Sequence, residues 1–196
     1  MQLTLVRHTS LAIASSICYG QSDVDVSLNF HAEQQALQKK LANTSFDAIY
    51  ASPLQRCYKL AEALCADKSL GLTQQDIQLD DRLRELHFGD WEMRPWDAIP
   101  RDVFDIWAND DANLAPPKGE TFTQLQTRTN MFLKEVASHS HGKNIAVVTH
   151  GGVIRAMLAE VLNMPLKGLF RLEIDHASVT RISYDGTVPK IHFVNL

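Results

Sequence analysis

The chain has 196 residues, 45% of them hydrophobic and 21% charged, an ordinary globular composition that suits one domain over 1–196 with a full core. A net charge of −4 argues against a nucleic-acid binder, which carries a basic excess, yet leaves room for a small anionic substrate held by a local arginine cluster. No apolar stretch approaches the roughly 20 residues that span a bilayer, and three cysteines in no metal-ligand spacing (Cys18, Cys57, Cys65), with an apolar strand directly at the start, predict free thiols in a reducing cytoplasm.

In chain order, residues 2–6 read as a buried strand that ends on Arg7, His8 and Thr9. Residues 30–42 read as a helix with Phe30, Leu37 and Leu41 on one face. Residues 46–51 read as a second buried strand, and 54–66 as a helix in which Leu54, Cys57, Ala61, Leu64 and Cys65 recur at helical spacing. A short strand is expected at 77–79, and two short helices between 95 and 109, broken by Pro100. Ala115 to Gly119 is a loop. Thr121 and Gln124 then have capping-box spacing ahead of the stripe Phe122, Leu125, Phe132, Leu133 and Val136. Strand 144–149 runs into His150, Gly151 and Gly152, and helix 152–162 follows. Three strands are expected last, at 168–174, 179–184 and 190–195, the final two joined by a turn at Asp185-Gly186. The α/β alternation implies a mainly parallel sheet covered on both faces, a three-layer αβα sandwich with an antiparallel edge.

Two histidines leave two apolar strands in the same way. If those strands are parallel neighbours, His8 and His150 face one another at the carboxyl edge of the sheet, where open α/β proteins place ligands. Arg7, Arg56 and Glu85 also follow, or nearly follow, strand-like runs. Two arginines, two histidines and a carboxylate suit phosphoryl transfer, which is mostly positioning and electrostatic stabilisation. Guanidinium groups offer planar, paired donors to phosphate oxygens. An imidazole nitrogen can attack phosphorus, and a carboxylic acid can protonate the departing alkoxide. The plainer readings are a core histidine at 8, an exposed helix arginine at 56, and a surface acid at 85 paired with Arg82 or Arg84. Cys57 reads as core, and His139-Ser140-His141 as a solvated loop rather than a metal pair. Trp91, Trp96 and Trp107 read as packing for the short helices, with Trp91 the best candidate for a pocket wall. His31, His87, His176 and His192 receive no role, although His87 lies close to Glu85.

Five segments in order carry a resemblance. They are Leu-Val-Arg-His at 5–8, Ser-Pro-Leu-Gln-Arg-Cys at 52–57, Leu-Arg-Glu-Leu-His-Phe-Gly-Asp-Trp-Glu at 83–92, Gly-Glu-Thr-Phe at 119–122 and Val-Thr-His-Gly-Gly at 148–152. The set resembles the histidine phosphatase superfamily, which includes the cofactor-dependent phosphoglycerate mutases. The resemblance implies a phosphoglycerate mutase-like fold, a small phosphate-ester substrate, and no cofactor or metal. It implies that His8 is the nucleophile, that Arg7 and Arg56 clamp the phosphoryl oxygens, and that His150 is a further donor. Glu85 would be the acid and then the base that activates water. Gly151 and Gly152 open a helix whose free N–H groups add anion affinity. Two positions depart from the family: Thr9 stands where Gly is usual, and Ala14 where Asn often binds phosphate. Thr9, Ser10 and Gln21 are candidates to replace those donors. The stretch Ile17-Cys18-Tyr19-Gly20-Gln21-Ser22-Asp23 resembles bacterial members assigned as α-ribazole phosphatases, which act in cobalamin biosynthesis. The competing expectations are a mutase-type phosphotransferase, a sugar-phosphate phosphatase of broad specificity, and a phosphate-binding module without catalysis. A monomer or homodimer fits either enzyme.

Overall fold

In the computed structural model, which describes residues 1–185 and 188–196, strand β1 (Gln2–Arg7) runs through the middle of a six-stranded sheet. The elements that follow are β2 (Ile17–Cys18), α1 (Phe30–Lys40), β3 (Ala48–Ala51), α2 (Gln55–Cys65), β4 (Ile77–Leu79), β5 (Arg94–Pro95), α3 (Arg101–Asn109), α4 (Phe122–His139), β6 (Asn144–Thr149), α5 (Gly151–Leu162), β7 (Val179–Ser183) and β8 (Lys190–Phe193). The sheet order is β4-β3-β6-β1-β7-β8. The first four strands pair in parallel, and β7 and β8 add an antiparallel edge. Strands β2 and β5 pair with each other in a separate two-stranded ribbon.

The continuous apolar runs of β1 and β6 follow from burial on both faces. Side chains alternate across a strand. Leu3 and Leu5 of β1, with Ile145 and Val147 of β6, therefore join the core under α4 and α5. Val6, with Ala146 and Val148, joins the core under α1 and α2. Leu3, Leu5 and Val6 have no exposed surface, and burying each contributes about 1.5–3 kcal/mol. Helix α4 starts as its sequence requires: the Thr121 side chain accepts from the Gln124 N–H, and the Gln124 side chain accepts from the Thr121 N–H.

The expected strand at 168–174 does not form. Gly168 takes a left-handed φ of 84°, and Leu169–Arg171 make a single tight turn instead. The carbonyls that a strand would offer to a ladder go to arginines: Leu172 to Arg155, and Ile174 to Arg7. Two short helical elements flank Pro100 as expected: a single tight turn at Trp96–Ala98, and α3, which Pro100 caps. The proposed turn at Asp185-Gly186 falls partly at Gly186, outside the described residues. No helix among the described residues is long and apolar enough to cross a membrane.

Candidate active site

Strand register brings the candidate residues to one edge. β1 and β6 run in parallel with Arg7 opposite Thr149, and the His8 N–H donates to the Thr149 carbonyl at 3.0 Å. His8 and His150 therefore leave the sheet side by side, with ring centroids 5.1 Å apart. On the other side of β6, the Ser52 N–H continues the β3 ladder to the Val148 carbonyl at 3.0 Å. The start of α2 then brings in Arg56. β4 runs parallel to β3 and feeds the segment that carries Glu85. β7 runs the opposite way, so the residues before it reach the same edge. Arg7 N–H donates to the Ser178 carbonyl at 3.1 Å, and Ala177 N–H to the His8 carbonyl at 3.1 Å.

His8 is fully buried. Its Nδ1 lies 2.7 Å from the Thr9 carbonyl. A carbonyl only accepts, so Nδ1 carries the proton and Nε2 holds the lone pair. Nε2 has no hydrogen-bond partner among the described residues, although it is buried. Burial first, then the Arg56 and Arg7 guanidiniums, hold the His8 pKa well below 6.5, so the ring is neutral and nucleophilic. Two neighbouring atoms are also buried and unpartnered: Arg7 Nε and Thr9 Oγ1. Three consecutive residues thus present a lone pair and two donors that no group among the described residues satisfies, which native structures rarely leave unexplained.

Arg56 is fully buried, with Nε donating to His150 Nδ1 at 3.3 Å. Its Nη1 and Nη2 donate to the carbonyls of Ser22 (2.8 Å) and Gly20 (2.6 Å), so it also ties the first loop to the sheet edge. Three of its five N–H groups are engaged this way, which leaves two for an anion. Because His150 Nδ1 accepts, its Nε2 carries the proton and donates to Ser52 Oγ at 2.9 Å. Burial, Arg56 and His8 hold the His150 pKa well below 6.5. Cys57 is core, as its helical position requires; its Sγ packs 3.5 Å from His150 Nε2, and burial pushes the thiol pKa up.

The Glu85 carboxylate is held by two backbone donors, Leu86 N–H at 2.9 Å and Gly152 N–H at 3.2 Å. The second belongs to the first turn of α5, where N–H groups are free and the helix dipole favours negative charge. Glycine at 152 leaves room for the carboxylate in this position, because a Cβ there would overlap it.

Glu85 and Gly151 line a cleft of about 230 Å³ together with Arg7 and Arg155; Ile17, Tyr19, Phe88 and Trp96 form much of its remaining wall. Phe88 and Trp96 meet edge to face at 5.3 Å. The tryptophan of the wall is therefore Trp96 and not Trp91, which is buried against Phe104 and Trp107. The reason is the β2–β5 ribbon, which carries Trp96 over the cleft: the Trp96 N–H donates to the Ser16 carbonyl at 2.9 Å. Among the other candidates, Gln21 donates its side-chain N–H to the Glu85 carbonyl at 2.9 Å. Ser10 turns away, bonding Glu33 and Ser27. Ala14 is exposed. His139 bonds Glu135 at the end of α4, and no metal-binding group of side chains occurs among the described residues.

Two residues were not legible as site residues. His176 stands 5.3 Å from His8 by ring centroid, and its Nε2 accepts from Arg7 Nη2 at 3.0 Å. Its outer face is open to solvent, while partial burial and Arg7 lower its pKa to about 4. The only signal was its place just before an antiparallel strand, which enters the site from its N-terminal end. Arg155 lies one helical turn beyond Gly151; its Nε donates to the Leu172 carbonyl at 2.8 Å, and it pairs with no carboxylate within the described residues.

Comparison with known proteins places the chain in a family. Residues 3–196 match the family model of the histidine phosphatase superfamily (branch 1). The adenosylcobalamin/alpha-ribazole phosphatase of Escherichia coli is 27% identical over 199 residues, covering 100% of this chain and 96% of that protein. Phosphoserine phosphatase 1 of Hydrogenobacter thermophilus is 27% identical over 187 residues, covering 93% of this chain and 86% of that protein. The crystal structure of the alpha-ribazole phosphatase from Shigella flexneri superposes with a TM-score of 0.87 at 26% identity, covering 100% of this chain and 96% of that one.

Proposed function

This chain belongs to the histidine phosphatase superfamily and is a phosphatase, and from that premise we propose a metal-independent phosphomonoesterase that works through a phosphohistidine at His8. The observation that carries the reading is the trio of unpartnered buried atoms at residues 7–9. His8 Nε2 attacks phosphorus, and the ester P–O bond breaks as Glu85 protonates the departing oxygen. A water, deprotonated by Glu85, then attacks phosphorus, the P–N bond breaks, and inorganic phosphate leaves. The Arg7 Nε–H and the Thr9 hydroxyl donate to phosphoryl oxygens, and the two spare N–H groups of Arg56 add to them. These cations stabilise the charge that builds up on the phosphoryl oxygens. The helix N-terminus at Gly151 contributes in the same sense.

For the leaving group we propose a nucleoside-like alcohol of the α-ribazole type. Two observations support it: the apolar, aromatic wall of Ile17, Phe88 and Trp96, and the similarity to proteins named for that activity. A second reading, a phosphoserine-like ester, is favoured by Arg155, whose free guanidinium fork suits a carboxylate on the leaving group.

The test is release of inorganic phosphate, with EDTA present, across α-ribazole phosphate, phosphoserine, other nucleoside monophosphates, fructose bisphosphates and phosphoglycerates. The expected result is EDTA-resistant release, fastest on α-ribazole phosphate and lost in His8→Ala. Preference for phosphoserine supports the second reading, and release from every ester a broad-specificity phosphatase. Phosphoryl transfer between phosphoglycerates, or tight binding with no release, overturns the hydrolytic proposal.

A further inference from the structure

The segment that carries Glu85 lies outside the sheet and outside every helix longer than one turn. Its carbonyls therefore have no ladder to supply donors, and buried backbone acceptors need partners. Four consecutive carbonyls find them in side chains from elsewhere. Arg128 of α4 donates through Nη1 to Arg82 (2.6 Å) and Arg84 (2.7 Å), and through Nη2 to Glu85 (2.9 Å). Thr149 at the end of β6 donates its hydroxyl to the Leu83 carbonyl at 2.8 Å. The Glu85 carbonyl takes a second donor from Gln21. Arg128 is itself held by Glu120, through Nη2 at 2.5 Å and Nε at 3.2 Å. The same Glu120 carboxylate accepts from the His87 N–H at 3.0 Å, on the far side of Glu85. Both partners are mostly buried, with side chains 19% and 17% exposed.

We propose that Arg128, held by Glu120, is a positioning residue for proton transfer: it clamps the main chain leading to Glu85 while Glu120 holds the chain beyond it, so that the carboxylate meets the leaving oxygen. This rests on Glu85 acting as the acid. Only a guanidinium suits the task, because its planar fork reaches several acceptors at fixed angles, whereas an ammonium is a single point. Catalytic geometry tolerates displacements of only about 0.5 Å. A shift of about 1 Å costs on the order of 10²-fold in rate.

The test compares kcat/KM for an alkyl phosphate and for p-nitrophenyl phosphate in wild type, Arg128→Ala, Arg128→Lys and Glu85→Gln. This parameter covers the steps up to leaving-group departure, and p-nitrophenolate departs without a proton. Both Arg128 variants are expected to lose about 10²-fold on the alkyl ester. On the aryl ester they should lose far less, the same selectivity as Glu85→Gln, with inhibition by inorganic phosphate unchanged. If Arg128→Ala does not fold, Arg128→Lys, which keeps the charge and the stem, carries the test. Equal losses on both esters, or no loss, in the Arg128 variants while Glu85→Gln stays selective overturns the clamp alone. Equal losses on both esters in Glu85→Gln removes the acid role and the clamp with it. Loss of EDTA-resistant phosphate release in wild type would strike the phosphatase proposal itself.

Discussion

Replacing Gly152 by alanine should separate stability from activity. Gly152 is the second residue of α5, and inside a helix alanine is favoured over glycine by about 0.8–1.0 kcal/mol. The added Cβ, however, would overlap the Glu85 carboxylate, while its approach to Leu125 Cδ2, at 3.5 Å, is an ordinary contact. The obstructing atoms are the end of a flexible side chain, so Glu85 swings aside and the helix stays. What is lost is the Gly152 N–H bond to Glu85. Hydrogen bonds to charged groups are worth about 1.5–3 kcal/mol, reduced here because Glu85 is only half-buried and water can serve both groups. Gain and loss nearly cancel, and unfolding free energy by urea titration should stay within about 1 kcal/mol of wild type. Activity should not survive as well: kcat/KM for an alkyl ester should fall about 10²-fold, the usual size of a general-acid effect. Full activity in Gly152→Ala would refute the role given to the Glu85 carboxylate. Destabilisation beyond about 3 kcal/mol would show that the helix moves instead, since that is the upper range for overpacking a core.

Gly89→Ala should behave in the opposite way. Gly89 has a φ of 55°, and a Cβ would overlap main-chain atoms of Pro117 and Gly119, which cannot swing aside. A loss of about 2–4 kcal/mol is expected, from left-handed strain of about 1–2 kcal/mol plus overpacking of similar size, and a melt indistinguishable from wild type would refute it. Stability should also fall on mild acidification. His8 and His150 have folded pKa values well below 6.5, so between those values and 6.5 the unfolded chain binds protons that the folded chain does not. Stability therefore rises with pH through this window, by up to about 1.4 kcal/mol per pH unit for each ring. Asp80, whose pKa is lowered from 3.8, acts in the same direction but only at lower pH. Urea unfolding at pH 7, 6 and 5 should show the fall, with a shallower slope in His150→Asn; a flat profile would contradict the assigned neutral rings.

The alternation of apolar strands and amphipathic helices was readable because burial on one or two faces imposes a residue pattern on the chain itself. So was the meeting of His8 and His150, since both directly follow strands that burial makes central. The helix start at Thr121 was readable because a cap is a local event. Three features were not. The segment 168–174 has the composition of a strand, but its carbonyls are claimed by Arg7 and Arg155, from distant parts of the chain. His176 reaches His8 only because β7 runs antiparallel to β1, a direction that no local pattern encodes. The four carbonyls around Glu85 are met by Gln21, Arg128 and Thr149, and nothing in 82–85 announces those partners. Periodicity and capping act over a few residues and are written locally, so the sequence by itself determined the layers, the central strands and the two facing histidines. Strand direction and the donors to a loop's backbone depend on residues far apart in the chain, and for that reason only the tertiary structure decided what surrounds His8 and what holds Glu85.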